Sequence, residues 1–177
     1  MCAWMPWNGT LLRARSALRG RMADLIEETN DKLVIHKLIP ASREEVFDAW
    51  GDAAGMRAWM CPGDVISAEA QIDFRQGGAY RILMKSPKQD HDHTGKYLAV
   101  ERPSKLCFTW NTKGVDVAET LVTVELKDRG GKTELTLTHE RFPSAEMLAR
   151  YKGGWSRIAD LLAEYFDQRK PKSRARA

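Results

Sequence analysis

The chain has 177 residues, 43% hydrophobic and 29% charged, the balance of a soluble globular domain long enough to bury a full core without staples. Its formal net charge is +4, yet nine of its 28 basic residues lie before Met22 or after Gln168, which leaves 19 bases facing 24 acids, a net −5, between them. No apolar run reaches the roughly 18 residues of a membrane span, and basic character confined to the two ends, with no aromatic-lined basic patch, argues against a nucleic-acid-binding body.

Taken in chain order, residues 1–21 carry four arginines and no acid, superficially like an organelle transit peptide. The plainer reading is that Met22 opens the natural protein, so this stretch is set aside from the fold. We expect residues 1–31 to be an N-terminal extension, 32–168 one domain, and 169–177 a basic disordered tail. Cys2, Cys61 and Cys107 are an odd number without CxxC spacing, which indicates neither a disulfide framework nor a zinc site and fits a reducing, cytoplasmic setting. In that setting the Asn8-Gly9-Thr10 sequon carries no sugar.

"KLVIHKLI" (32–39) reads as a strand closed by Pro40. Ser42 then caps a helix over "REEVFDAW", with Glu45 completing a capping box, and Asp52 caps a second short helix over "AAGMRAWM" that Pro62-Gly63 ends. Six strand-like stretches follow: "VISAEAQIDF", "AYRILMK", "GKYLAVE", "KLCFTW", "ETLVTVELKD" and "KTELTLTHE". Turns as short as those between them predict antiparallel pairing, because parallel neighbours need long crossovers. Alternation places Val122, Val124 and Leu126 on one face of their strand, Leu135, Leu137 and His139 on one face of the next, and Leu106, Phe108 and Trp110 likewise. This is an α+β plan with an antiparallel sheet and helices on one side.

"RYKGGWSRIADLLAEYF" (150–166) predicts a final amphipathic helix, since Tyr151, Trp155, Ile158, Leu162 and Tyr165 recur at the spacing of one buried stripe. Gly153 and Gly154 sit inside it, at about 1 kcal/mol each relative to alanine. Burying five large side chains at about 1.5–3 kcal/mol each outweighs that cost. The glycines mark either a close backbone approach or room left above the sheet, with plain packing as the alternative.

"ASREEVFDAW", "RAWMCPGDV", "DFRQGGAYRI", "GKYLAVERPSKLCFTW", "LVTVEL", "TELTLTHERFP" and "GGWSRIADLLAEYF" follow in an order and spacing that resembles the activator of heat-shock-protein-90 ATPase homologue family, within the START-like (SRPBCC) superfamily. The resemblance covers about Lys32 to Gln168. It implies a helix-grip fold, in which a curved antiparallel sheet wraps around the long C-terminal helix and encloses an apolar cavity. Where the family shows Trp-Trp-Gly-Pro, this chain reads Trp59-Met60-Cys61-Pro62, which implies a reshaped pocket lip.

Local motifs add little chemistry. Gly131-Lys132-Thr133 resembles the end of a P-loop, but Leu126 stands where its first glycine belongs, so phosphate binding is rejected. Asp90-His91-Asp92-His93 reads as a polar hairpin loop rather than a metal site. His36 reads as a strand histidine, Glu119 and Glu140 as polar groups near strand ends, and Cys61 as a small half-buried residue unless a base lies beside it. No metal and no cofactor are expected.

Three functions remain, and the resemblance supplies their order. The first is binding of a hydrophobic small molecule or lipid in the cavity between sheet and helix. Trp59, Tyr80, Tyr97, Trp110 and Trp155 would offer flat surfaces, with Met60, Ile82, Met84, Phe108, Val122, His139, Ile158 and Leu162 completing the lining. The second is a cyclase- or hydrolase-like enzyme on a ligand in the same cavity, with His139 and a carboxylate as its acid/base pair. The third is a chaperone ATPase cofactor in the stress response; residues 1–31 are too short for the additional N-terminal domain of the eukaryotic activators. A homodimer is the family default.

Overall fold

Eight antiparallel strands form one curved, open sheet in the order β1-β2-β8-β7-β6-β5-β4-β3. The computed structural model describes residues 25–29, 31–114 and 119–169, so the expectations for residues 1–21 and for the tail beyond Arg169 lie outside it. The strands are β1 (Ile26–Thr29), β2 (Lys32–Ile39), β3 (Ser67–Ile72), β4 (Ala79–Lys85), β5 (His91–Glu101), β6 (Lys105–Thr112), β7 (Thr120–Asp128) and β8 (Thr133–Glu140). Helix α1 (Arg43–Gly51) and a 3-10 turn (Gly55–Ala58) connect β2 to β3, and α2 (Ala145–Arg169) ends the described chain.

The register explains the buried face. Val122 lies opposite His139, Val124 opposite Leu137 and Leu126 opposite Leu135, so the apolar alternation of β7 meets that of β8 rung by rung. All six are buried. Against this face α2 lays Leu148, Trp155, Ile158, Ala159, Leu162 and Phe166. Helix α1 begins where the sequence places it: Ser42 N–H donates to Glu45 Oε2 at 2.9 Å, and Ser42 Oγ accepts from Glu45 N–H at 3.3 Å.

The Arg75-x-Gly77-Gly78 turn has a physical reason. Gly77 holds φ +79°, and a Cβ on Gly78 would overlap the Asp73 carbonyl oxygen. The turn is tied to β5 by Gly77 N–H to Tyr97 O at 2.7 Å and Tyr97 N–H to Gly78 O at 2.9 Å. The motif thus ties the β3–β4 turn to β5.

Several elements differ from expectation. The sheet gains an edge strand at residues 26–29, which sequence reading left in the N-terminal extension because all four residues are exposed and carry no alternation. The second helix shrinks to a four-residue 3-10 turn. Helix α2 starts five residues early, because Ser144 Oγ accepts from Met147 N–H at 3.2 Å and Leu148 extends the buried stripe. The Asp90–His93 stretch is corrected from hairpin loop to strand: His91 pairs with Met84 and His93 with Ile82 in the β4–β5 ladder. Among the described residues no helix is long and apolar enough to cross a membrane.

Candidate functional site

The space between sheet and helix is filled unevenly, and that unevenness makes the site. Toward α1, the rings of Phe47, Trp50, Trp59, Phe74, Tyr80, Tyr97 and Phe108 contact one another in a continuous chain, with centroids 5.1–6.1 Å apart. This end is solid, where the fold resemblance implied an enclosed hollow. At the other end the helix parts from the sheet over a cleft of about 1120 Å³, open to solvent. Its walls are the ends of β4, β5 and β6, the segment 62–65 and the first half of α2.

Helix α2 borders this cleft with Gly153 and Gly154, and a Cβ at either position would meet no atom within 4 Å. Of the two explanations for the glycines, room above the sheet is the one the geometry supports. Facing them are the half-buried Val65 and Met147, and beneath them Met84, Trp110, Trp155 and Ile158 form a floor of side chains each no more than 4% exposed. Trp110 and Trp155 lie 4.9 Å apart between ring centroids. The Trp110 Nε1 is buried without a hydrogen-bond partner.

Trp155 is fixed from behind by His139. The indole Nε1–H of Trp155 donates to His139 Nδ1 at 2.9 Å, and since an indole nitrogen can only donate, Nδ1 carries no proton. Thr120 Oγ1 donates to the Trp110 carbonyl at 2.7 Å and accepts from His139 Nε2–H at 2.8 Å. The imidazole is therefore neutral with both nitrogens engaged. Its exposure is 0%. Burial, then the charge of His93, pushes its pKa down to about 3. Such a group positions an indole and has no free nitrogen with which to move a proton on a ligand.

The polar side of the cleft belongs to His93. Its ring stacks on Trp110 at 4.5 Å and 30°, and its Nδ1 lies 3.0 Å from Thr112 Oγ1, which lies 2.7 Å from Tyr151 Oη. All three side chains border the cleft. Burial, then His91, lowers the His93 pKa to about 4, so the ring is neutral near pH 7. His91 lies parallel to it at 6.5 Å, while Asp92 faces the other side of the strand and takes both Nε and Nη2 of Arg81 at 2.8 Å. Within β5, His91 and His93 thus take one face and Asp92 the other, while Asp90 precedes the strand.

Among the residues expected to line a ligand site, Met84, Trp110, Trp155 and Ile158 come together on the cleft. Trp59 and Met60 are fully buried, with Trp59 edge-on to Trp50 at the α1 end. Tyr80, Tyr97 and Phe108 belong to the ring cluster, and Tyr80 Oη donates to the Thr109 carbonyl at 2.6 Å. Ile82, Val122 and Leu162 pack in the core, and His139 lies behind Trp155. Outside the cleft, Cys61 Sγ–H donates to the Arg57 carbonyl at 3.4 Å and burial raises its pKa. His36 Nδ1 meets Thr136 Oγ1 at 3.2 Å, and Glu119 accepts from Asn111 Nδ2 at 3.2 Å.

Sequence reading missed His91, His93, Thr112 and Tyr151 as cleft residues. The signal was present in the strand alternation: His91, His93 and Gly95 continue the inward face that Tyr97 marks, and Tyr151 sits on the helix stripe four residues before Trp155.

Comparison with known proteins adds the following. A family model described as "Activator of Hsp90 ATPase homolog 1-like protein" matches residues 40–167. Among solved structures, the chain is similar to protein CV1439 from Chromobacterium violaceum, with 21% identity and a TM-score of 0.69 over 80% of this chain and 99% of that one. It is similar to Ms6760 from Mycobacterium smegmatis, with 16% identity and a TM-score of 0.69 over 85% and 98%. It also resembles CalU16 from Micromonospora echinospora, with 24% identity and a TM-score of 0.59 over 76% and 75%. At these identities the likeness speaks for the helix-grip fold alone. No curated protein matches the chain.

Proposed function

Because the chain belongs to the Activator of Hsp90 ATPase homolog 1-like protein family, we propose that it works as a binding protein for a planar, largely apolar small molecule held between α2 and the β4–β6 end of the sheet. The observation that carries this reading is the cleft itself: Trp110, Trp155, Met84 and Ile158 face a stretch of helix bared at Gly153 and Gly154. A volume of about 1120 Å³ accommodates a molecule of drug size, and large apolar surfaces with a few polar groups are the usual composition of such sites. Indole faces favour flat, aromatic guests over flexible chains.

Of the three functions weighed from sequence, binding is the one that needs nothing beyond these side chains. An enzymatic role built on His139 finds no support, because that ring has both nitrogens engaged behind Trp155. The free thiols of Cys61 and Cys107 suit a reducing, cytoplasmic setting for a binding protein of this kind.

The test is a titration of the protein with planar aromatic compounds from naphthalene to pyrene. The expected result is quenching of the Trp110 and Trp155 emission together with a rise in melting temperature that follows ligand concentration. Unchanged emission and unchanged melting across the whole series would contradict the reading.

A further inference from the structure

The polar edge of the cleft says which apolar molecules it prefers. We propose that the cleft selects planar ligands bearing a hydroxyl group, and that the string His93–Thr112–Tyr151 is the element that reads this group. The proposal rests on the binding reading above and sharpens its ligand class.

The argument starts from proton counting. Thr112 Oγ1 lies between His93 Nδ1 at 3.0 Å and Tyr151 Oη at 2.7 Å, and a hydroxyl has one proton to give. Three arrangements satisfy both contacts. In one, Tyr151 donates to Thr112 and Thr112 donates to Nδ1, which leaves an Nε2–H on His93 and only lone pairs on Tyr151. In the second, Nδ1–H donates to Thr112 and Thr112 donates to Tyr151, which leaves a bare Nε2 on His93 and a free O–H on Tyr151. In the third, Tyr151 and Nδ1–H both donate to the two lone pairs of Thr112 Oγ1, which leaves only acceptors on His93 Nε2 and Tyr151, so in every arrangement at least one end of the string accepts a proton.

Both ends border the same cleft, and neither His93 Nε2 nor Tyr151 Oη has a further partner among the described residues. A ligand hydroxyl can donate or accept, so it finds a complement in all three arrangements. An ether or an unsubstituted ring leaves part of the string unanswered, and an unpaired polar group shut away from water is costly. The string is also rigidly mounted. His93 is stacked on Trp110, and the Tyr151 ring is held against His139 at 5.0 Å and Phe142 at 5.7 Å. The neutral state of His93, imposed by burial, is what leaves both of its tautomers open to the string.

Among the described residues this is the only side-chain hydrogen-bond string whose members all border the cleft. The cleft's charged groups, such as Arg157 (paired with Glu164 at 2.9 Å), are exposed at its rim. The apolar wall would therefore set affinity for the flat body, and the string would set orientation and choice of substituent.

Chemical-shift titration of the tryptophan indole N–H resonances with naphthalene, 2-methoxynaphthalene and 2-naphthol tests this. We expect 2-naphthol to bind roughly tenfold more tightly than naphthalene, with the ether between them. In Tyr151→Phe that preference should fall below about threefold while naphthalene affinity stays within about twofold. Thr112→Val, which breaks the string and leaves the Tyr151 ring in place, should give the same loss and guards against a folding defect in the first variant. Equal affinities for naphthol and naphthalene in the wild type, or a preference untouched by both substitutions, would overturn the proposal and leave the cleft-binding reading standing. Absence of any indole shift with all three probes would overturn both.

Discussion

Replacing Gly154 with leucine should weaken binding of planar apolar probes severely while leaving the chain folded. A Cβ at this position meets nothing within 4 Å and the residue borders the cleft, so the new side chain has open space to enter. It would occupy the space over Trp155 and Trp110 in which a flat guest is proposed to lie. Filling the space above this apolar floor should weaken binding by about a hundredfold, the order of 3 kcal/mol. Stability moves the other way, because leucine is a better helix former than glycine by roughly 0.8 kcal/mol. Gly154→Ala is the control: it should raise stability by about 1 kcal/mol and reduce affinity far less, since one methyl group leaves most of the volume open. Thermal melts and probe titrations of the three proteins check both halves of the statement. Full affinity in Gly154→Leu would show that the bare face of α2 is not part of the site. The expected pattern is that of a chain that holds α2 below its attainable stability in exchange for room beside it.

Stability should fall steeply as the pH is lowered from about 6.5 to 4, and His139 should account for about one proton of that slope. Burial lowers the folded-state pKa of His139 to about 3 and that of His93 to about 4, against an ordinary value near 6.5 in the unfolded chain. The unfolded state therefore binds more protons throughout this window. The stabilising contribution of each neutral ring is complete above pH 6.5 and declines by about 1.4 kcal/mol per pH unit per proton as the pH falls toward the folded value. Carboxylates such as Asp48, lowered by its hydrogen bonds from Arg102, add to the slope at the acid end of this window, but equally in the protein and in a His139 variant, so they cancel between the two. His139→Gln can keep both bonds, with its amide oxygen accepting from Trp155 and its nitrogen donating to Thr120, yet it does not titrate. Urea unfolding at pH 7, 6, 5 and 4.5 should show a slope shallower by about one proton in the variant. Identical slopes would contradict the assignment of a buried neutral imidazole. His139→Leu, by contrast, strands the Trp155 indole N–H and should cost about 1–3 kcal/mol at every pH.

How far the sequence reached depended on how local each feature is. The strands were readable because each buries one face, so period-two alternation in "LVTVEL" and "TELTLTHE" fixes both the element and its inward side. The capping box at Ser42 and Glu45 is written in four residues, and the structure returns it bond for bond. Edge strand β1 was not readable, since its residues are all exposed and its only specification is the partner strand β2. The start of β5 was hidden by composition: Asp90-His91-Asp92-His93 looks like a loop until the β4 ladder supplies the pairing that makes it a strand.

The site divides along the same line. Trp110, Trp155, Met84 and Ile158 were nameable from strand faces and the helix stripe, which are properties of single elements. Which end of the sheet–helix space is packed solid is a property of several elements at once. It depends on Trp50 from α1 and Trp59 after the 3-10 turn reaching Phe108 and the tyrosines, and no spacing along the chain records that meeting. The pairing of His139 with Trp155 is likewise tertiary. Sequence reading saw a histidine on an inward face and offered it as an acid or base; the indole that occupies its Nδ1 makes it a positioning residue.

The most direct test is a crystal structure of the protein soaked with 6-bromo-2-naphthol, read at the bromine absorption edge. The account predicts an anomalous peak in the cleft bounded by Trp110, Trp155 and the Gly153–Gly154 stretch, with the ring lying against the indoles. A peak elsewhere, such as in the groove beside Asp48 and Phe166, with the cleft holding only water, would contradict it.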